Sequence, residues 1–257
     1  MRAFTRYLFL LSASLMLLPS CQLKKPETAP GIIPAPAEGF FSRRRQQPLQ
    51  PKKADMAVIF VGGFTEQVLL HFRKSYEKMP LLPCKGTQLR AYYAWDSGTG
   101  NLLFHSTWKL RRDLAAFCKV NPDADIVLIG HSYGGSAIMD ALRYLKKPHG
   151  RIIVATIDPV SRRKRSMPRR RPDCVNYWVN TYCYPYRNVR DVFARIGGPW
   201  RHCPQADINL NFPGTQRDAD GDRFAHVYPA PMLLEKNPAT GKSVFCLLSE
   251  YISKNSK

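Results

Sequence analysis

A serine flanked by glycines stands where one periodic pattern gives way to another. Residues 126–129 are four consecutive apolar residues, and the Gly-x-Ser-x-Gly sequence centred on Ser132 follows them at once. An apolar run of this length predicts a buried strand, and the apolar spacing from Ser136 onward predicts an amphipathic helix. In so tight a turn from strand to helix, only glycine fits two residues before and two residues after the serine. The sequence therefore predicts that Ser132 is held above the edge of a sheet.

This position suits a nucleophile. A hydroxyl raised above the sheet is accessible to a substrate, and the following helix directs its first N–H groups toward a developing oxyanion. A serine hydrolase is the first hypothesis that follows. The alternative is a glycine-rich turn that happens to contain a serine, and the strand and helix around Ser132 weigh against it.

The first residues have the pattern of an export signal. Residues 7–18 form an apolar stretch that is too short to span a bilayer as a helix. Arg2 and Arg6 lie in the short basic region before it. We therefore predict a signal peptide of the lipoprotein type in residues 1–20. The Ser-Cys pair that ends at Cys21 is similar to the cleavage box of bacterial lipoproteins, which implies lipid attachment at Cys21. Ordinary cleavage, with Cys21 as an incidental residue, is the alternative.

The residue after this cysteine bears on where the protein is sorted. It is Gln22, not aspartate. By resemblance to enterobacterial lipoproteins, this favours the outer membrane of a Gram-negative bacterium, with the protein facing either the periplasm or the exterior.

A proline-rich segment follows the signal. Residues 22–54 contain six prolines, an arginine run at 43–45 and few large apolar residues. Such a composition cannot bury enough apolar surface to fold by itself. We predict a tether over residues 21–54 and a catalytic domain over residues 55–257, a length that suits one α/β domain.

The charge balance is strongly basic, with 39 Lys+Arg against 19 Asp+Glu. Basic residues are densest in the loop 162–171. Because an exported protein meets little nucleic acid, anionic lipid headgroups or acidic envelope polymers are the expected partners of this loop. A solvated loop without a specific ligand is an equal alternative.

Cysteine usage agrees with export. Apart from Cys21 there are six cysteines, an even number that in an oxidising compartment predicts up to three disulfides; buried free thiols are the alternative. They are Cys84, Cys118, Cys174, Cys183, Cys203 and Cys246. Neither their spacing nor that of the histidines fits a zinc site. Residues 218–222 resemble the start of a calcium loop, but the glycine is misplaced, so no metal is expected.

Strand and helix patterns alternate along the rest of the chain. An alternating order of this kind predicts a parallel sheet covered on both faces, with the ligand site at the carboxyl ends of the strands. The predicted strands are 57–61, 88–95, 126–129, 151–157, 175–182 and 208–210, and the predicted helices are 66–76, 106–120 and 136–145.

These features together resemble the α/β-hydrolase superfamily, in particular its lipase/esterase-like members. The resemblance covers roughly residues 55–257 and is sharpest at Gly130–Gly135, Gly-His-Ser-Tyr-Gly-Gly. It implies a mostly parallel central sheet with helices on both faces and a hydrolase without a cofactor.

The family pattern also implies the other catalytic groups. The order of nucleophile, acid and base points to Asp158 as the acid, with Asp191 and Asp207 in reserve. It points to His226 as the base, with His202 as the alternative. The oxyanion hole would take one N–H from the residue after the nucleophile and one from the loop after an early strand. The residues that fit are Tyr133 and then Phe64, with Gly63 as second choice; His131 should point away from Ser132.

Three functions follow as hypotheses. The first is an esterase or lipase, tethered to the membrane through Cys21, that cleaves acyl esters of amphipathic or anionic substrates. The second is a thioesterase or peptidase on the same scaffold. The third is a non-catalytic lipoprotein that binds an envelope partner.

Overall fold

Six parallel strands form one sheet in the order β2-β1-β3-β4-β5-β6. The computed structural model describes residues 47–63, Glu66, 71–94, 108–146, 148–161 and 170–255. All of these belong to the compact unit Ala37–Lys257. The predicted signal, Cys21 and residues 22–46 lie outside the described residues.

The elements alternate as expected. The strands are β1 (Met56–Val61), β2 (Gln88–Tyr93), β3 (Asp125–His131), β4 (Ile152–Ile157), β5 (Val175–Tyr182) and β6 (Ile208–Asn211). The helices are α1 (His71–Lys78), α2 (Trp108–Val120), α3 (Tyr133–Leu142), α4 (Val192–Gly197), α5 (Pro229–Leu234) and α6 (Val244–Lys254), and a 3-10 turn at Val189–Asp191 precedes α4.

Helices cover both faces of the sheet. Side chains alternate along a strand, so Ile59 of β1 faces one layer and Phe60 faces the other. Ile59 belongs to the core cluster that contains residues of α2 and α3. Phe60 belongs to the cluster that contains residues of α1, α5 and α6. A strand buried on both faces explains the continuous apolar runs of β1, β3 and β4. The predicted fold class, a parallel sheet between two helical layers, is confirmed.

The register aligns three strand ends. Val61 pairs with Gly130, and His131 pairs with Ile157, across the neighbouring pairs β1–β3 and β3–β4. The residues that follow β1, β3 and β4 therefore leave the sheet side by side at its carboxyl edge. These residues include Gly63, Ser132 and Asp158.

The tether prediction needs a correction at its end. Gln47 forms an antiparallel bridge with Tyr92 of β2. Leu49 is buried, and its N–H donates to the hydroxyl of Tyr93. Ala54 donates its N–H to the side chain of Asn121. Because their backbone polar groups bond to the domain, residues 47–54 belong to the fold and not to a tether.

The expectation of disulfides is also corrected, because all six cysteines of the described unit are free thiols. The buried thiols have local acceptors instead of sulfur partners. The thiol of Cys174 lies 3.5 Å from the carbonyl oxygen of Leu142, and that of Cys183 lies 3.5 Å from the carbonyl oxygen of Phe224. Burial raises the pKa of the Cys183 thiol, which stays protonated.

Besides α4, the two helices near the C-terminus, α5 and α6, were not predicted. The sequence carries signals for both, since Pro229 and Pro231 suit the first turn of α5 and Ser243 caps α6 by accepting the N–H of Cys246. Within the described part of the chain, no helix has the length and apolar character needed to cross a membrane.

Candidate active site

Ser132 lies in a strained turn between β3 and α3. Its φ of 56° is a left-handed conformation that non-glycine residues seldom adopt. The turn brings α3 against the end of β1, where a Cβ on Gly134 would lie 2.0 Å from the carbonyl oxygen of Val61. A Cβ on Gly130 would in turn lie 2.8 Å from the backbone of Gly134. Steric exclusion thus accounts for both glycines of the sequence pattern.

Ser132, His226 and Asp158 form one hydrogen-bonded line. Nε2 of His226 lies 2.9 Å from Oγ of Ser132. Nδ1 of the same ring lies 2.7 Å from Oδ2 of Asp158. A carboxylate only accepts, so Nδ1 carries the proton, which leaves Nε2 of the neutral ring as the acceptor of the serine hydroxyl. The structure therefore brings together the three residues that were predicted as nucleophile, acid and base.

The carboxylate of Asp158 is fully buried, yet its oxygens are well supplied with donors. Oδ1 accepts the N–H of Cys183 at 2.9 Å, and the hydroxyl of Tyr186 lies 3.2 and 3.1 Å from Oδ1 and Oδ2. Burial, followed by the charge of Asp158, raises the pKa of Tyr186, so its hydroxyl stays protonated and donates. These donors replace the water that a buried carboxylate has lost.

Two further side chains hold the backbone of His226. Oδ1 of Asp191 accepts the N–H of His226 at 2.8 Å, and Nε2 of His131 lies 2.7 Å from the carbonyl oxygen of His226. Asp191 also accepts the N–H of Asn188. The peptide groups on both sides of the His226 side chain are therefore fixed, which orients the imidazole between Ser132 and Asp158.

His131 is a neutral imidazole whose Nε2 bonds to the backbone of His226 and not to Ser132. Burial, and then the neighbouring His226, lowers the pKa of His131 well below 6.5. Since a carbonyl oxygen only accepts, Nε2 of His131 carries the proton. Its Nδ1 is buried and has no hydrogen-bond partner. The ring packs between Phe72 and His226, with centroids 5.5 and 4.9 Å away.

The expected oxyanion-hole residues lie beside Ser132. A Cβ on Gly63 would lie 2.5 Å from Cβ and 3.0 Å from Oγ of Ser132, so only glycine lets this segment pass. Tyr133 opens α3, where backbone N–H groups point outward along the helix axis. Phe64, the first choice from sequence, lies outside the described residues. The two described positions lie where their backbone N–H groups can donate to the oxyanion of a substrate carbon bonded to Ser132 Oγ.

The reserve residues have other surroundings. His202 is exposed. Asp207 directly precedes β6, so it lies at the amino ends of the strands, away from the carboxyl edge that holds Ser132. It accepts the N–H of Trp178 and forms an ion pair with Arg171. Asp191 lies near His226 but contacts its backbone and not its ring.

The described residues of the other sequence motifs take no part in this site. Asp218 accepts the N–H of Asp222 within a turn, and no group of three potential metal-binding side chains exists among the described residues. Most of the basic loop, 162–169, lies outside the described residues. Its last two arginines form ion pairs with aspartates, Arg170 with Asp173 and Arg171 with Asp207.

The roles of two residues of the site were not predicted from the sequence. Tyr186 has no motif around it, and only the fold brings its hydroxyl to Asp158. Asp191 was considered as the acid, because a carboxylate between the nucleophile and the histidine fits the expected chain order. Nothing in the sequence indicates that its oxygen binds the backbone of His226.

Comparisons with known proteins give weak structural neighbours. No protein-family model matches the chain, and a search of curated proteins gives no match. A protein described as a cell surface hydrolase from Lactobacillus plantarum is 13% identical, with a TM-score of 0.42 and coverage of 80% of this chain and 94% of that one. RedJ is 14% identical, with a TM-score of 0.41 and coverage of 88% and 98%.

A further neighbour is Est1E from Butyrivibrio proteoclasticus, which is 14% identical with a TM-score of 0.34 and coverage of 82% of this chain and 91% of that one. Identities and TM-scores this low carry no argument about activity. The topology of the sheet and the strand–serine–helix turn are this chain's own evidence. On that evidence, the chain has the α/β-hydrolase fold.

Proposed function

We propose that this protein is a serine hydrolase that cleaves carboxylic esters. The observation that carries the proposal is the unbroken hydrogen-bonded line from Ser132 through His226 to Asp158. A serine hydroxyl is a weak nucleophile unless a base within hydrogen-bond reach takes its proton. Here the base is His226, whose Nε2 lies 2.9 Å from the hydroxyl oxygen of Ser132 and whose Nδ1 lies 2.7 Å from the carboxylate of Asp158.

The reaction follows from these positions. Ser132 Oγ attacks the ester carbonyl as its proton passes to Nε2 of His226, and Asp158 stabilises the imidazolium that forms. Backbone N–H groups of Tyr133 and of the segment after β1 stabilise the oxyanion. The imidazolium then protonates the departing alcohol, leaving an acyl group on Ser132. A water molecule, activated by the same imidazole, releases the acid and restores the hydroxyl.

Hydrolysis of a short-chain nitrophenyl ester tests this proposal. We expect Ser132→Ala and His226→Ala each to lower kcat by about 10⁴-fold or more. The exposed His202 supplies a matched control, since His202→Ala should retain full activity. Equal activity in Ser132→Ala and the parent protein would refute the proposal. A parallel panel of thioester and peptide substrates divides an esterase from a thioesterase or peptidase on the same scaffold.

We also propose that the enzyme acts from the surface of a membrane, anchored through a lipid on Cys21. The support is the short apolar stretch 7–18 and the Ser-Cys pair after it. Growth with a labelled fatty acid should transfer label to the parent protein and not to Cys21→Ala. Label in both proteins, or in neither, would contradict the anchor. Fractionation of the expressing cells tests the proposed outer-membrane location.

A further inference from the structure

The segment 184–201 supports the catalytic residues with its inner side. The hydroxyl of Tyr186 bonds to Asp158, and the carboxylate of Asp191 bonds to the backbone of His226. Gly197 lies against the side chain of Tyr133, since a Cβ there would be 2.9 Å from its hydroxyl. The segment thus forms part of the wall of the candidate active site.

The outer side of the same segment is apolar and exposed. Seven large hydrophobic side chains of the described residues are exposed, and four of them belong to this segment. They are Tyr184 at 41%, Val189 at 83%, Val192 at 39% and Ile196 at 52% exposure, and we call them the apolar face. Single apolar side chains on a surface are ordinary, but a cluster beside a site indicates an interaction surface.

Exposed arginines lie in the same segment as the apolar face. The segment contains four arginines and one acidic residue, Asp191, which is fully buried. Arg187, Arg195 and Arg201 are exposed. The guanidinium of Arg201 lies 3.8 Å from the ring centroid of Tyr184, so charge and apolar surface are directly adjacent. Among the described residues, Arg187 and Arg195 form no ion pair.

We propose that the apolar face docks onto an anionic lipid layer, from which ester substrates reach Ser132. Apolar side chains that enter the headgroup region, flanked by arginines that meet lipid phosphates, are the chemistry of interfacial binding. An apolar protein partner would not need the exposed arginines, and a purely acidic partner would not need Val189 and Ile196. The statement about substrates rests on the proposed esterase function, whereas the docking itself does not.

Vesicle sedimentation tests the docking. The unit Ala37–Lys257 is used because it contains all six strands and both core clusters of the described residues and lacks the apolar stretch 7–18, which would bind lipid on its own. Vesicles of phosphatidylcholine alone are compared with equal mixtures of phosphatidylcholine and phosphatidylglycerol. We expect binding to the anionic vesicles to exceed binding to the neutral vesicles by about tenfold or more, and to weaken as salt is added.

Variants locate the contact. The triple variant Val189→Ser/Val192→Ser/Ile196→Ser and the double variant Arg187→Gln/Arg195→Gln should each bind anionic vesicles about tenfold more weakly. Leu81→Ser removes an equally exposed apolar side chain from the loop before β2, the outermost strand on the side of the sheet away from β5 and β6. Lys74→Gln/Lys78→Gln removes two exposed charges from α1. Both controls should bind as the parent does.

Activity distinguishes a failed docking from a failed enzyme. Ser132→Ala should bind vesicles as tightly as the parent, because docking needs no catalysis. The triple variant should keep its rate on a water-soluble ester and lose about tenfold on a long-chain ester carried in anionic vesicles. Parental binding by the triple variant, or equal binding to both kinds of vesicle, would overturn the proposal. No hydrolysis of either ester by the parent would refute the esterase and leave vesicle binding to decide the docking.

Discussion

Nε2 of His131 donates a hydrogen bond to the carbonyl oxygen of His226, 2.7 Å away, so the residue before the nucleophile holds the backbone of the base. The contact joins the end of β3 to the loop before α5. The hydrogen bond requires a proton on Nε2, and burial lowers the pKa of the ring so that Nδ1 stays unprotonated, which ties the site to the protonation of a buried histidine.

This coupling predicts a pH dependence of stability. Burial lowers the pKa of His131 in the folded chain below its unfolded value of 6.5. Between those two values the unfolded chain binds the additional proton, so the free energy of unfolding decreases as the pH falls below 6.5. The expected slope from this one group is at most about 1.4 kcal/mol per pH unit.

Urea unfolding at pH 7 and pH 5 measures the effect. We expect His131→Gln, which retains an N–H donor, to lose stability less steeply than the parent over this range. His149→Gln is the matched control, because His149 is highly exposed. An identical slope in His131→Gln and the parent would contradict a neutral, buried His131.

The two buried aspartates near His226 have separable roles. Asp158→Asn should lower kcat by about 10⁴-fold, because an amide cannot stabilise the imidazolium or enforce the required tautomer. Asp191→Asn keeps an oxygen that accepts the N–H of His226, so its kcat should stay within about tenfold of the parent. Ester hydrolysis at saturating substrate measures both. A larger loss of kcat in Asp191→Asn than in Asp158→Asn would contradict the assignment of Asp158 as the catalytic acid.

Tyr186 acts on the reaction through Asp158. Tyr186→Phe removes a hydroxyl from a buried carboxylate, a hydrogen bond worth ~1.5–3 kcal/mol when one partner is charged. We expect kcat to fall about tenfold or more, with little change in KM, because the hydroxyl orients the acid and does not face the substrate. Tyr144→Phe alters a tyrosine that is 68% exposed and should behave as the parent. An unchanged kcat in Tyr186→Phe would contradict a role of the Tyr186 hydroxyl in orienting Asp158.

The close approach of Gly63 to Ser132 allows a steric test of the proposed oxyanion hole. In Gly63→Ala the new methyl group would lie 2.5 Å from Cβ of Ser132, so the nucleophile or the segment must move. A displacement of this size should lower ester hydrolysis at least about a hundredfold. In Gly62→Ala the methyl group would meet the side chain of Glu66 instead, 2.3 Å from Cγ, and activity should fall less. Equal losses in the two variants would show a general packing defect.

Local sequence rules were sufficient for the sheet. The apolar runs of β1, β3 and β4 are continuous because these strands are buried on both faces, and that pattern is visible without a structure. The turn at Ser132 was equally predictable, since the space at Gly130 and Gly134 excludes a side chain.

The support around the site could not be predicted in the same way. Tyr186 and Asp191 act through hydrogen bonds across 28 and 35 residues of chain, and no periodicity or motif encodes such a pairing. The predicted disulfides failed for a related reason. An even cysteine count indicates a possible framework, but five of the six thiols lie in or against the two core clusters, where side-chain packing sets their positions.

The most direct measurement of the central claim is labelling with a serine-reactive fluorophosphonate, followed by peptide mapping. The reagent phosphonylates only a serine whose hydroxyl is activated by a neighbouring base. We predict one modified residue, Ser132, with labelling abolished in His226→Ala and retained in His202→Ala. Modification of a different serine, or undiminished labelling of Ser132→Ala, would contradict the account.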